Sequence, residues 1–200
     1  MKPLDIRDIS IIDAFPVYDH EKTVLNIGCG EGRIDSHLAS MGYRVYATDV
    51  ARESTWKDSD RLTFHESNIF DLSSFPVRNT SIVICSQVLE HIKGYKVALA
   101  NLLTLTEIRL IITIPYRRSF YDPGHINFWD DRDCNVAPGS SPSYHGYEDI
   151  HEFIDLCKPY MVAISKIRTK AEDVKMHQYG YLIVVDKRQD LNLFGVDGGV

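Results

Sequence analysis

The chain has 200 residues and a net charge of −6, and no cationic run is longer than the pair Arg117 and Arg118, so nucleic acid is a disfavoured partner. Apolar residues make up 44% and charged residues 25%, which suits one globular domain that fills its own core and excludes wholesale disorder or a second full-size domain. Mean hydropathy is −0.19, no apolar run approaches the roughly 18 residues of a membrane-spanning helix, and Met1 to Ser10 carry acids where a signal peptide is apolar, so no membrane is expected and the expected compartment is the cytoplasm.

Residues 1–23 precede the first strand and read as an N-terminal strap. From residue 24 to 188, short β-branched runs alternate with amphipathic stretches, the rhythm of an α/β domain with helices on both faces of a sheet. Val24 to Ile27, Arg44 to Thr48 and Arg61 to His65 are the first three expected strands, and Ile34, Leu38 and Met41 recur at helical spacing between the first two. Ser81 to Cys85 and Ile108 to Ile114 are the most apolar strands, as expected for the middle of a parallel sheet. Between them, Val97, Leu99, Ala100, Leu102, Leu103 and Leu105 crowd one helix, and all are expected in the core.

Residues 116–145 lack a sustained period and hold three prolines and several aromatics, the pattern of a functional loop insertion. Ile150, Phe153, Ile154 and Cys157 then mark one face of a helix that Pro159 ends. Two strands follow, around Met161 to Ile167 and Tyr179 to Val185, and such close neighbours pair most easily antiparallel. The result is a Rossmann-like three-layer sandwich with a sheet of about seven strands, mostly parallel, with one antiparallel strand near the C-terminus. Residues 189–200 read as a flexible tail. Cys29, Cys85, Cys134 and Cys157 are scattered without zinc spacing, so they are expected as reduced thiols and no metal is expected. Cys29 and Cys85 read first as small side chains packed near strand ends.

The segment Val24-Leu25-Asn26-Ile27-Gly28-Cys29-Gly30-Glu31-Gly32-Arg33 joins an expected strand to an expected helix, so its backbone N–H groups line a crevice at the strand's C-terminal end. A dinucleotide fingerprint, G-x-G-x-x-G, requires glycine where this chain has Arg33; the pattern here is G-x-G-x-G. Asp49 ends the next strand 19 residues after Gly30, where a Rossmann-type fold offers a carboxylate to ribose hydroxyls; a helix cap is the other reading of it. Further on come His65-Glu66-Ser67-Asn68-Ile69-Phe70-Asp71 and the strand Ile82-Val83-Ile84-Cys85-Ser86-Gln87-Val88-Leu89-Glu90-His91.

These motifs, over about residues 22–115, resemble the class I S-adenosylmethionine (SAM) dependent methyltransferases, the glycine loop being similar to their motif I and Leu89-Glu90-His91 to a triplet frequent after strand four of small-molecule members. The resemblance implies SAM as cofactor and S-adenosylhomocysteine as product. It assigns cofactor contacts to Asn26, Gly28, Cys29, Gly30 and Gly32, to Asp49 and Val50, to Asn68 and Ile69, and to Ser86 and Gln87. Asn68 is the candidate for the adenine amino group, because its amide oxygen accepts. Many members have an acid where this chain has Asn26. The Asn/Asp-Pro-Pro-Tyr and Pro-Cys motifs of nucleic-acid base methyltransferases are absent.

Methyl transfer from a sulfonium expels a neutral thioether, so alignment and exclusion of water are the protein's main tasks, and a base is needed only for a protonated acceptor. His91, His125 and Glu90 are the candidate catalytic residues, each with a structural role as the competing reading. His91 lies just past strand four, where the methyl group is expected. Tyr116, Phe120, Tyr121, Phe128, Trp129 and Tyr144 are expected to shape the acceptor pocket, with Arg117, Arg118 and Arg132 either recognising an anionic group or simply solvated. Phe15, Pro16, Val17 and Tyr18 fit a lid over the cofactor or a strap packed for stability. The function so implied is methylation of an O or N atom of a small-molecule or sugar-like acceptor by a monomer or homodimer. A silent SAM-binding scaffold is the alternative, and a nicotinamide oxidoreductase is disfavoured by Arg33.

Overall fold

The computed structural model describes residues 3–16, 22–54, 56–116, 124–127, 129–130, 148–168 and 179–188. Helix α1 (Ile6–Asp13) comes first and starts on a capping box: Asp5 accepts from the Asp8 amide while the Asp8 carboxylate accepts from the Asp5 amide. Then follow β1 (Thr23–Ile27), α2 (Arg33–Ser40), β2 (Arg44–Asp49), β3 (Leu62–Glu66), β4 (Thr80–Ser86), α3 (Tyr95–Leu105) and β5 (Thr106–Pro115). The chain closes with the two-residue strands β6 (Trp129–Asp130) and β7 (Glu148–Asp149), helix α4 (Ile150–Leu156), β8 (Met161–Arg168) and β9 (Tyr179–Asp186).

Seven strands form one sheet in the order β3-β2-β1-β4-β5-β9-β8. Strands β1 to β5 are parallel, and β9 lies antiparallel to both β5 and β8, so a single strand runs against the rest, as the sequence leads one to expect. The order turns back between β1 and β4, opening a crevice at their C-terminal ends.

Side chains alternate across the sheet with period two. Val24, Ile82, Ile84 and Ile111 pack on one face with Ile11 of α1 and with Ile34 and Leu38 of α2. Leu25, Val83, Leu110 and Ile112 pack on the other with Leu99 and Leu102 of α3 and Phe153 of α4. The strands are therefore apolar on both faces, which is why they read as continuous hydrophobic runs.

Several expectations about the core need correction. Met41 is 52% exposed because α2 ends at Ser40 and the chain turns away there. Val97 is 57% exposed and Ala100 is also exposed, because α3 is apolar nearly all round yet packs only through Tyr95, Ala98, Leu99, Leu102 and Leu105. Trp129 does not line a pocket: it is fully buried, edge-on to Tyr95 and Phe153. Tyr116 packs edge-on against Tyr181 at 5.2 Å, with Lys166 Nζ over its ring. Phe120, Tyr121, Phe128, Tyr144, Arg117, Arg118, Arg132, Cys134, Val17, Tyr18 and the tail lie outside the described residues.

Candidate active site

The glycine loop closes on hydrogen bonds from the Gly28 and Cys29 amides to the Thr48 carbonyl, 2.8 and 3.0 Å, which bind it to the end of β2. Gly30 has φ of 52°, and a Cβ built there meets no atom within 4 Å, so bare main chain faces open space. At Gly28 a Cβ would lie 2.2 Å from the Val88 side chain; glycine is needed there because the chain after β4 lies against the loop.

Beside the loop is a cavity of about 230 Å³ lined by Asn26, Gly28, Cys29, Glu31, Arg33, Ile34 and Ser86, with Arg7, Asp8 and Ile11 of α1 as its opposite wall. Helix α1 thus forms one wall of the crevice. Phe15 instead packs edge-on against Tyr43, next to the start of β2 and away from the cavity. Arg33, which breaks the dinucleotide fingerprint, binds α1: its Nε lies 2.6 Å from Asp8 and its Nη2 2.8 Å from Asp5. The local signal for this wall was the Asp5 to Asp8 capping box; its contact with residue 33 left none.

Asn26 is 3% exposed and donates through Nδ2 to both oxygens of Asp35, at 3.0 and 2.9 Å. Asp35 is wholly buried in the first turn of α2, and burial pushes its carboxyl up to about 7, despite the Asn26 hydrogen bonds that pull it down. With its nitrogen committed to Asp35, the Asn26 amide keeps Oδ1 as a buried acceptor without a hydrogen-bond partner among the described residues, in a residue that lines the cavity. The chain thus has an amide at position 26 and a buried acid nine residues later.

Asp49 faces the loop. Its Oδ2 accepts from the Gly30 amide at 2.9 Å and its Oδ1 from the Val50 amide at 2.7 Å, and each oxygen keeps lone-pair capacity for a hydroxyl. Val50 is 77% exposed at the crevice rim. Asn68 is exposed, but its amide oxygen already accepts from the Phe70 amide at 3.0 Å. The Ile69 side chain is buried in the core, and its carbonyl accepts from Asn101 Nδ2 of α3 at 2.8 Å. Gln87 stands at the end of β4 with φ of 58°, unusual for a residue other than glycine, and reaches through Nε2 to Thr113 Oγ1; the Ser86 hydroxyl also pairs with Thr113. Burial pushes the thiols of Cys29 and Cys85 far up, which disfavours their thiolate forms.

Immediately beyond β4, Leu89–His91 form a single 3-10 turn that brings Glu90 and His91 to the rim. Residues 124–127 fold back over this turn. The Ile126 and Asn127 amides donate to the Glu90 carbonyl at 2.7 and 3.1 Å, and Asn127 Nδ2 donates to the carbonyls of Leu89 and Ile92 at 2.7 and 2.8 Å. His125 is thereby held at 9% exposure, its ring edge-on to His91 at 4.6 Å between centroids. Glu90 has no exposed surface, His91 is exposed, and one donor atom from each of Glu90, His91 and His125 lies within 4.8 Å of the other two. All three candidate catalytic residues therefore meet at one place.

The sheet order and the glycine loop define a class I methyltransferase fold. Residues 25–107 match the family model described as a methyltransferase domain. The ubiquinone biosynthesis O-methyltransferase of Rickettsia canadensis is 27% identical over 113 residues, covering 52% of this chain and 47% of that protein. The chain spans less than half the length of the curated relatives it matches. Among solved structures, a putative S-adenosylmethionine dependent methyltransferase from Listeria monocytogenes superposes with a TM-score of 0.63 at 14% identity, over 90% of this chain and 97% of that one. The 1,6-didemethyltoxoflavin-N1-methyltransferase of Burkholderia thailandensis, solved with bound 1,6-didemethyltoxoflavin and S-adenosylhomocysteine, gives a TM-score of 0.57 at 16% identity, over 84% of this chain and 72% of that one. Among the described residues no helix is long and apolar enough to cross a membrane.

Proposed function

We propose that the chain is a SAM-dependent methyltransferase acting on an O or N atom of a small-molecule acceptor. The observation that carries this reading is the pairing of an open, main-chain-lined loop at Gly30 with the Asp49 carboxylate bonded to that same residue. SAM supplies a methyl group on a sulfonium whose departure leaves a neutral thioether. The residues proposed to bind it divide by part. Asp49 takes the ribose hydroxyls, with Val50 and the backbone of Asn68 and Ile69 around the adenine. Gly28, Cys29, Gly30 and Gly32 offer main chain to the tail.

The Asn26 amide oxygen suits the ammonium of the methionine end, since it is buried, lines the cavity and is an acceptor only. Ser86 and Gln87, at the end of β4, join it there as proposed cofactor contacts. In this reading residues 1–23 are a strap whose α1 walls the methionine end. Glu90, His91 and His125 face the acceptor and govern its orientation and proton loss. The O-methyltransferase relative and the N-methyltransferase neighbour support a small acceptor, and the acidic net charge agrees with one that is not a polyanion.

Incubation with methyl-labelled SAM and a panel of phenols, alcohols and amines tests the proposal. Label in a new small molecule is the expected result. Binding of SAM with no transfer to any extract or panel member favours the silent scaffold instead.

A further inference from the structure

We infer that Glu90, His91 and His125 form a binding site for one first-row divalent cation at the acceptor end of the crevice. Three features of the structure meet there. The donor atoms come from two chain segments yet fall within 4.8 Å of one another, and ordinary bond lengths of about 2.0 to 2.2 Å require them to draw in by only about an ångström, most readily at exposed His91. The segments are locked together by Asn127 and by the Ile126 amide, so the loop that carries His125 is fixed to the turn that carries the other two.

The third feature is the orientation of His91. Its Nδ1 lies 3.2 Å from the Gly124 carbonyl, and a carbonyl only accepts, so this contact selects the neutral tautomer with the proton on Nδ1 and the lone pair on Nε2. A histidine ligand held by a backbone carbonyl through its other nitrogen is the usual arrangement at metal sites.

Two imidazoles and one carboxylate suit manganese, iron, cobalt or zinc better than magnesium or calcium, which prefer all-oxygen sets. Three protein ligands leave coordination positions open. Ser86, four residues before Glu90, lines the cofactor cavity, so an acceptor oxygen at the open position stands near the expected methyl group. This role, unlike the binding site itself, rests on the methyltransferase reading: an acceptor hydroxyl at the ion loses its proton to water, its oxygen bonds the methyl carbon, and the carbon–sulfur bond breaks with its electron pair left on sulfur. Sequence spacing hid the site because His125 stands 34 residues after His91.

The test uses the full chain, stripped with a chelator and titrated with Mn2+ alone, followed by electron paramagnetic resonance and its nitrogen modulation. One Mn2+ per chain with histidine nitrogen coupling is expected, displaced by Zn2+, and weakened at least tenfold in His91→Ala and in His125→Ala. Because Glu90 is fully buried, Glu90→Gln is read only alongside the exposed His91 variant. A parallel titration with S-adenosylhomocysteine separates the two claims: a normal cofactor titration with no stoichiometric Mn2+, or with unchanged Mn2+ affinity in both histidine variants, overturns the metal site and leaves the methyltransferase reading standing.

Discussion

The glycine-loop crevice and the rim beyond β4 meet at Ser86 but are built from different materials. On its glycine-loop side the crevice is main chain: amides of residues 28–30 are set by Thr48 and Asp49, and the bare carbon of Gly30 faces space. The rim is side chain: one carboxylate and two imidazoles gathered from segments far apart in sequence and clamped by Asn127. Main-chain sites recognise a fixed ligand by shape and hydrogen-bond direction, whereas titratable side chains act on an acceptor's proton or charge. The difference teaches that the two regions should fail in different ways, one in affinity and the other in turnover.

The largest expected effect is at the rim. His91→Ala should lower turnover of the true acceptor by about 10² to 10⁴-fold, while its affinity for S-adenosylhomocysteine by calorimetry stays within about twofold, since the contacts of His91 run to Gly124 and His125. A comparable loss of cofactor affinity would merge the two regions into one. Next comes the crevice: Asp49→Ala removes the acceptor of the Gly30 and Val50 amides together with the proposed ribose ligand, and cofactor affinity should fall about 100-fold. An unchanged dissociation constant would mean that the carboxylate serves only the loop.

A smaller effect lies behind the crevice wall. Burial raises the Asp35 carboxyl from 3.8 to about 7, so between those values the folded chain holds a proton that the unfolded chain has released. Stability from this group is complete below about pH 4 and falls as pH rises to about 7, by at most about 1.4 kcal/mol per unit. Asp35→Asn should remove that slope from urea-unfolding free energies measured across the window; an identical slope in the variant would show that Asp35 is not its source. The smallest effect is expected at the α1 wall, where Arg33→Gln should cost about 1 kcal/mol, because the Arg33 contacts to Asp5 and Asp8 are only partly buried. Thermal unfolding checks it, and loss of folding would show that α1 is integral to the core.

The crevice was largely legible in the sequence because its determinants are local. A short apolar strand, closely spaced glycines and an acid at the end of the next strand each report on backbone conformation within a few residues. The parallel order followed from the same rhythm, and the antiparallel strand from the short connection before it. What stayed hidden depends on contacts between distant segments. Nothing in the sequence around Asp35 announces that it is buried against Asn26. Arg33 reads as a missing glycine and is instead an ion-pair partner of α1. Trp129 reads as a pocket aromatic, and its burial depends on Tyr95 and Phe153, neither of them its neighbour in sequence. At the rim the residue types were legible and their meeting was not, since nothing near His125 announces a fold back onto Glu90.

The most direct test of the central claim is calorimetric titration of the full chain with S-adenosylhomocysteine and, separately, with NAD. One S-adenosylhomocysteine per chain, with NAD silent and the signal abolished or weakened about 100-fold by Asp49→Ala, is the predicted result. Saturable NAD binding with no response to S-adenosylhomocysteine would contradict the account.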